Sequence, residues 1–264
     1  MSISHYETLI YRKHPAYAEI RLNRPERLNA VIEALYLELL QALQQAESDP
    51  EVRAVLLSGE GRAFCVGADM KAHGEGQRTL PQRHQYLQLA NEVCARIIGL
   101  KKPVLAAVQG YALGAGAEMA CSCDFVLMAE SARIGFPEVS IGTCVGGGVS
   151  QLLPRMVGLR KAQELLFMGA KIDAAEAQRI GLISRAVADE VLESEARHVV
   201  EQLAALAPVS MAQVKSLLNQ AAHQPMQAQM LQERDAIFFC STTADWQEGV
   251  DAFAAKRPPQ FRGE

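Results

Sequence analysis

Apolar residues recur along this chain in two periods, and the balance between them changes near residue 189. In the first two thirds, short apolar runs alternate with helical spacings. Residues 6–11 and 17–22 read as two short strands joined by a turn at His14-Pro15, and Asn23-Arg24-Pro25 closes the second. Val31, Leu35, Leu39, Leu40 and Leu43 then fall at helical spacing over residues 31–46, until Ser48-Asp49-Pro50 ends the run. Residues 52–58 form a third strand. Strand, helix and strand in that order predict a parallel pair with a right-handed crossover.

Beyond a glycine-containing turn at residues 62–70, the polar segment 73–83 has no period. An amphipathic helix over residues 85–100 follows, with Leu87, Leu89, Ala90, Val93, Cys94 and Ile97 on its inner face and Lys101-Lys102-Pro103 as its stop. A strand at 103–108 leads into Gly110-Tyr-Ala-Leu-Gly-Ala-Gly-Ala-Glu118 and a small-residue helix from Met119 onward. Strands are expected at 124–129 and 132–136, then a glycine cluster at 142–148, helices at 149–156, 159–168 and 174–179, and a last short strand within 181–187. From Asp189 the period is helical only: Val191, Leu192, Ala196, Val199, Val200, Leu203 and Leu206, then helices over 208–221, 225–240 and 243–255. The class is α/β. The expected division is a core over residues 1–190 and a helical region over 191–264.

Composition narrows the function. With 264 residues, 49% of them hydrophobic, the chain buries a sizeable core, which excludes disorder. A net charge of −4 supplies no field to gather nucleic acid or an anionic membrane, so an anionic ligand must be held by a few local cations. Cys65, Cys94, Cys121, Cys123, Cys144 and Cys240 form no C-x-x-C pair and read as reduced, buried small hydrophobes. No apolar run approaches the roughly 18 residues of a membrane span, and the N-terminal residues lack a signal pattern. A cytoplasmic protein is expected.

Several chemistries fail on spacing. Gly114-Ala-Gly116 is followed by Met119 where a dinucleotide fingerprint needs its third glycine, and Gly142–Gly148 has no Gly-Lys-Ser/Thr ending. The histidines do not cluster with acids at metal-ligand spacing, and there is no G-x-S-x-G. Carboxylates and backbone N–H groups remain. If the N–H groups of the turns near Ala68 and Ala115 converge, they can hold a thioester or ester oxygen as it becomes an enolate, where one donor is worth about 10²–10³ in rate. Glu118 and Glu138, each beside a glycine turn, would supply general acid and base. The bland alternative makes each glutamate a helix-terminal charge contributing under about 1 kcal/mol.

Four stretches carry a resemblance: Phe64-Cys-Val-Gly-Ala-Asp-Met70, Gly110–Glu118, Phe136-Pro-Glu138 with Gly142 after it, and Ala252-Phe-Ala-Ala-Lys-Arg-Pro258. In this order they resemble the crotonase superfamily, the enoyl-CoA hydratase/isomerase fold, from about residue 5 to the C-terminus. The resemblance implies a spiral crotonase-like ββα core followed by a C-terminal helical trimerisation region, hence a homotrimer or a dimer of trimers. It implies hydration of a 2-enoyl-CoA without metal or other cofactor, coenzyme A arriving as part of the substrate, and neither nucleic acid nor membrane as partner. Ala68 and Ala115 would form the oxyanion hole, and Glu118 and Glu138 would be the acid/base pair, one activating water and the other protonating the α-carbon. Gly146 falls where the family has a glycine near the water and acyl tail. Arg27 resembles the basic position near the CoA phosphates, and Phe253 with Lys256 the pair that meets the adenine and phosphate end. Cys65, Asp69, Met70, Leu113 and Val145 complete the implied substrate contacts. Ala115 stands in place of a usual glycine and Val145 in place of a usual proline. Rival readings are a Δ3-Δ2-enoyl-CoA isomerase using one glutamate, and a non-catalytic acyl-CoA- or RNA-binding member of the family.

Overall fold

The computed structural model describes residues 3–75 and 78–264. Among them are ten strands: β1 (Ile3–His5), β2 (Leu9–Lys13), β3 (Tyr17–Leu22), β4 (Ala54–Gly59), β5 (Val104–Val108), β6 (Tyr111–Leu113), β7 (Phe125–Ala129), β8 (Arg133–Gly135), β9 (Lys171–Asp173) and β10 (Arg185–Val187). Seven make one sheet in the order β1-β2-β3-β4-β5-β7-β10; β6, β8 and β9 make a second, small one. The first three strands pair antiparallel, and from β3 to β10 every pair in the large sheet is parallel. The expected parallel pair is β3 with β4, in the register Tyr17 to Ala54. Every residue of β4 and β5 is buried, which is why both read as unbroken apolar runs: central parallel strands are covered on both faces.

Helix α1 (Glu33–Ser48) follows β3 and buries Leu35, Tyr36, Leu39 and Leu43. Two helices lie between β4 and β5: α2 (Met70–Glu75) and α3 (Leu80–Gly99). The sequence shows neither α2 nor the first turn of α3, because both are polar. Thr79 starts α3 five residues earlier than the apolar period does, through a capping box with Gln82. Leu87, expected on the inner face of α3, is exposed, and Tyr86 is buried in its stead. Of the six cysteines expected to be buried, Cys144 is exposed and Cys240 half-buried; all six are free thiols.

Helix α4 (Ala115–Ser122) follows β6; α5 (Val149–Val157), α6 (Leu159–Met168) and α7 (Ala174–Arg179) come next. Helix α8 (Leu192–Ala204) lies across β4, β5 and β7, and its Leu192, Ala196, Val200 and Ala204 belong to the main core. That core ends at Ala204. The helices outside it are α9 (Pro208–Gln220), α10 (Met226–Ser241) and α11 (Ala244–Ala254), so the helical layer begins later than the expected boundary at residue 191. A buried lysine ties this layer to the sheet: Lys215 Nζ on α9 donates to the Ile97 and Lys102 carbonyls and pairs with Asp124 at 2.7 Å. No helix of the described residues is long and apolar enough to cross a membrane.

Candidate active site

Two parallel pairings build the site. Cys65, just past β4, bridges Ala112 of β6 in parallel; Cys65 N–H donates to the Tyr111 carbonyl and Leu113 N–H to the Cys65 carbonyl. The same interval separates Cys65 from Ala112 and Ala68 from Ala115, so both turns leave the bridge in step. They meet closely: a Cβ placed on Gly67 would lie 2.8 Å from the Leu113 carbonyl oxygen and 3.5 Å from Ala115 N. With φ +91°, Gly67 must be glycine on both counts. Among the described residues, neither the Ala68 nor the Ala115 N–H makes a hydrogen bond. Ala115 opens α4, where the first-turn donors have no helical partner and the dipole is positive.

The second pairing brings the acids together. Strands β6 and β8 run parallel with Leu113 opposite Gly135, and Gly114 N–H donates to the Gly135 carbonyl at 3.0 Å. The segments that follow, Gly114–Glu118 and Phe136–Glu138, therefore leave the sheet side by side. Glu118 sits in the first turn of α4, and Glu138 in the 3-10 turn Pro137–Ile141. Both are buried. Glu118 Oε1 accepts the Gly146 N–H at 2.6 Å, whereas Glu138 Oε2 has no partner among the described residues.

Burial pushes the Glu118 carboxyl above the usual carboxylate range; the Gly146 N–H opposes that rise and the nearby Glu138 adds to it. Burial raises Glu138 as well, against a weaker opposing bond from its own backbone. The pair is thus unequal. Glu118 has a fixed donor favouring its ionised form, and Glu138 has an oxygen left for a proton or a substrate.

The structure brings Glu118, Glu138, Ala68, Ala115 and Gly146 to one place. Cys65 and Leu113 form the strand edge beneath them; burial pushes the Cys65 thiol up to about 12, so it stays neutral. Val145 is half-buried against the core, and Met70 is exposed at the start of α2. Asp69 is buried and already engaged: Arg27 Nη2 donates to it at 2.8 Å, Arg24 Nη2 at 3.1 Å, and its Oδ1 accepts the Ala72 N–H at the start of α2. Its carboxyl is held well below the usual range, chiefly by Arg27. Arg27 therefore braces the Ala68 turn within the chain. Phe253 and Lys256 stand exposed on α11 and just beyond it, joined to the glutamates by no bond among the described residues. The sequence did not show Asn91, whose Oδ1 accepts the Gly147 N–H at 3.0 Å, nor Tyr86, whose hydroxyl donates to the Val31 carbonyl beside the Ala68 turn.

The enoyl-CoA hydratase/isomerase family pattern matches residues 12–264. The chain belongs to that family. Among curated members, it is 37% identical to a probable enoyl-CoA hydratase of Rhizobium meliloti and 35% identical to the crotonyl-CoA hydratase of Syntrophomonas wolfei, each over 97% of this chain and 98% of the relative. The crystal structure of an enoyl-CoA hydratase from Bacillus anthracis superposes with a TM-score of 0.94 at 32% identity, covering 98% of this chain and all of the other. The two-sheet core with its helical C-terminal layer is thus the crotonase fold.

A groove of about 1070 Å³ lies between the ends of α1 and α3 and helix α9, and none of the converging residues lines it. The assignment rests on the two free donors and two buried carboxyls. Among the described residues, no group of three or more His, Cys, Asp or Glu is placed to hold a metal.

Proposed function

We propose that this chain is an enoyl-CoA hydratase, a hydro-lyase that adds water across the α,β double bond of a 2-enoyl-CoA. The observation that carries the reading is the unequal glutamate pair beside two backbone N–H groups that have no partner among the described residues. Ala68 and Ala115 N–H hold the thioester oxygen. Ionised Glu118 takes a proton from water as the water oxygen attacks the β-carbon, and the π electrons move to the thioester oxygen as an enolate. Protonated Glu138 then gives its proton to the α-carbon, the carbonyl re-forms, and the product is a 3-hydroxyacyl-CoA. The turnover leaves the pair's proton on the other carboxyl, so resetting requires a proton transfer. The chemistry calls for no metal or redox cofactor.

Arg27, Met70, Val145, Phe253 and Lys256 are assigned to CoA and acyl contacts in this reading, with Asp69 holding Arg27 in place, and the exposed apolar side chains of the C-terminal layer to self-association as a trimer or a dimer of trimers. The compartment is cytoplasmic.

Glu118→Gln and Glu138→Gln are each expected to lower the hydration rate by about 10²- to 10⁴-fold, while CoA-thioester binding persists. Loss of the conjugated-thioester absorbance measures the rate, and titration calorimetry the binding. Full activity in either variant overturns the assignment, and a shifted double bond in place of a 3-hydroxyacyl product would identify an isomerase.

A further inference from the structure

The turn at Gly146 and Gly147 is held from two sides. Gly146 N–H donates to Glu118 Oε1 at 2.6 Å, and the next N–H along, that of Gly147, donates to Asn91 Oδ1 at 3.0 Å. The space between these acceptors is small. A Cβ on Gly146 would stand 3.5 Å from Asn91 Oδ1 and 3.6 Å from each Glu118 oxygen; one on Gly147 would stand 2.7 Å from Cys94 Sγ and 3.1 Å from Glu118 Cβ. Asn91 thus reaches from α3 to the same turn that touches the carboxyl. It does so from an exposed position, so core packing does not account for it. The two N–H groups belong to neighbouring peptide planes joined through Gly146, so restraining the second narrows the directions in which the first can point.

We propose that Asn91 is a positioning residue for Glu118: by clamping Gly147 it holds the Gly146 N–H on the Glu118 carboxylate and keeps that group oriented as the base. The proposal rests on the hydratase reading of Glu118. A hydrogen-bond donor aimed at a carboxylate favours its ionised form, so releasing the turn makes Glu118 harder to ionise. The groups facing Glu118 are Glu138 from the 3-10 turn, Tyr36 from α1, Cys94 from α3, Cys65 from the loop after β4, and Cys121 on its own helix. Burial pushes the tyrosine and the three thiols up, so they stay neutral through the working range and Glu138 alone titrates against Glu118.

The test is the steady-state hydration of crotonyl-CoA across pH by Asn91→Ala and Asn91→Asp, with Glu118→Gln as reference. Asn91→Ala is expected to lower kcat by about 10- to 100-fold with KM little changed, and to move the acidic limb of the profile upward by about one pH unit. Its melting temperature should stay near that of the parent, since the side chain is exposed. Asn91→Asp keeps an acceptor for Gly147. It is expected to recover most of the lost kcat on the alkaline side, while its charge displaces the limb further upward. Parental kcat and profile in Asn91→Ala, with Glu118→Gln inactive, would overturn the positioning role; so would equal losses in both variants with no movement of the limb. Full activity of Glu118→Gln would instead sink the hydratase reading, and this proposal with it.

Discussion

Burying two carboxyls side by side costs the folded protein something, and the cost has a definite pH dependence. Both Glu118 and Glu138 have pKa values raised in the native state, chiefly by burial. Between the ordinary carboxylate value and the raised one, the native protein binds more protons than the unfolded chain, so stability falls as pH rises through that window. Below the window both states are protonated and the penalty vanishes. Glu118→Gln and Glu138→Gln are therefore expected to melt at higher temperature than the parent at neutral pH, with the gain shrinking towards zero near pH 4. Thermal unfolding at the two pH values checks this, and variants less stable than the parent at neutral pH would refute it. The same two side chains then carry opposite costs, since the substitution that stabilises the fold removes the proton chemistry.

At the scale of elements, the site is a consequence of strand pairing. Glu118 and Glu138 each follow a strand of the small sheet, and the parallel register of β6 and β8 sets them together. The sequence shows the acids, the glycine turns and the buried strands, because β4 and β5 are long apolar runs and the helices α5, α6 and α7 are bounded by glycines or a capping aspartate. Its family resemblance also places Ala68 and Ala115 together. It does not show β6 or β9, three-residue strands with no room for an alternating pattern, nor does it show α2. It misses Asn91 for a different reason: helical periodicity ranks positions by burial, and Asn91 is an exposed residue whose job is done by one oxygen. Asp69 is the reverse case, a motif residue whose work in this chain is to hold Arg24, Arg27 and the first turn of α2 around the Ala68 donor. Asp69→Asn is expected to lose about 2–3 kcal/mol of stability through these charged hydrogen bonds. Because the Asp69 carboxyl is depressed, the parent's advantage is full at neutral pH and fades as pH falls below the ordinary carboxylate range; denaturant melts at neutral and acid pH test it. A flat difference across pH would count against the ion pairs as its source.

For the whole molecule, the C-terminal layer is the part whose surface does not fit an isolated chain. Helices α10 and α11 expose Met226, Met230, Ile237, Phe238, Trp246 and Phe253, and none of α9–α11 contributes to the main core. Large apolar patches on a folded surface mark contact with another protein. Sedimentation at micromolar concentration is expected to give a trimer or a hexamer, and Phe238→Asp to shift it to smaller species that remain folded, because that side chain is largely exposed and lies outside the main core. A parent that sediments as a monomer would remove the self-association reading.

The stitch between Cys65 and β6 has one more consequence. The opening between the Ala68 and Ala115 donors is made by main chain, spaced by the same hydrogen bonds that join the two sheets, whereas proton handling depends on side chains and on a glycine turn hung between Asn91 and Glu118. The two halves of the catalyst are therefore unequally durable. In the proposed mechanism, local loosening of the turn would disarm the acid/base pair while the carbonyl grip survives, so the protein would fail by holding its thioester without hydrating it before it failed by letting go.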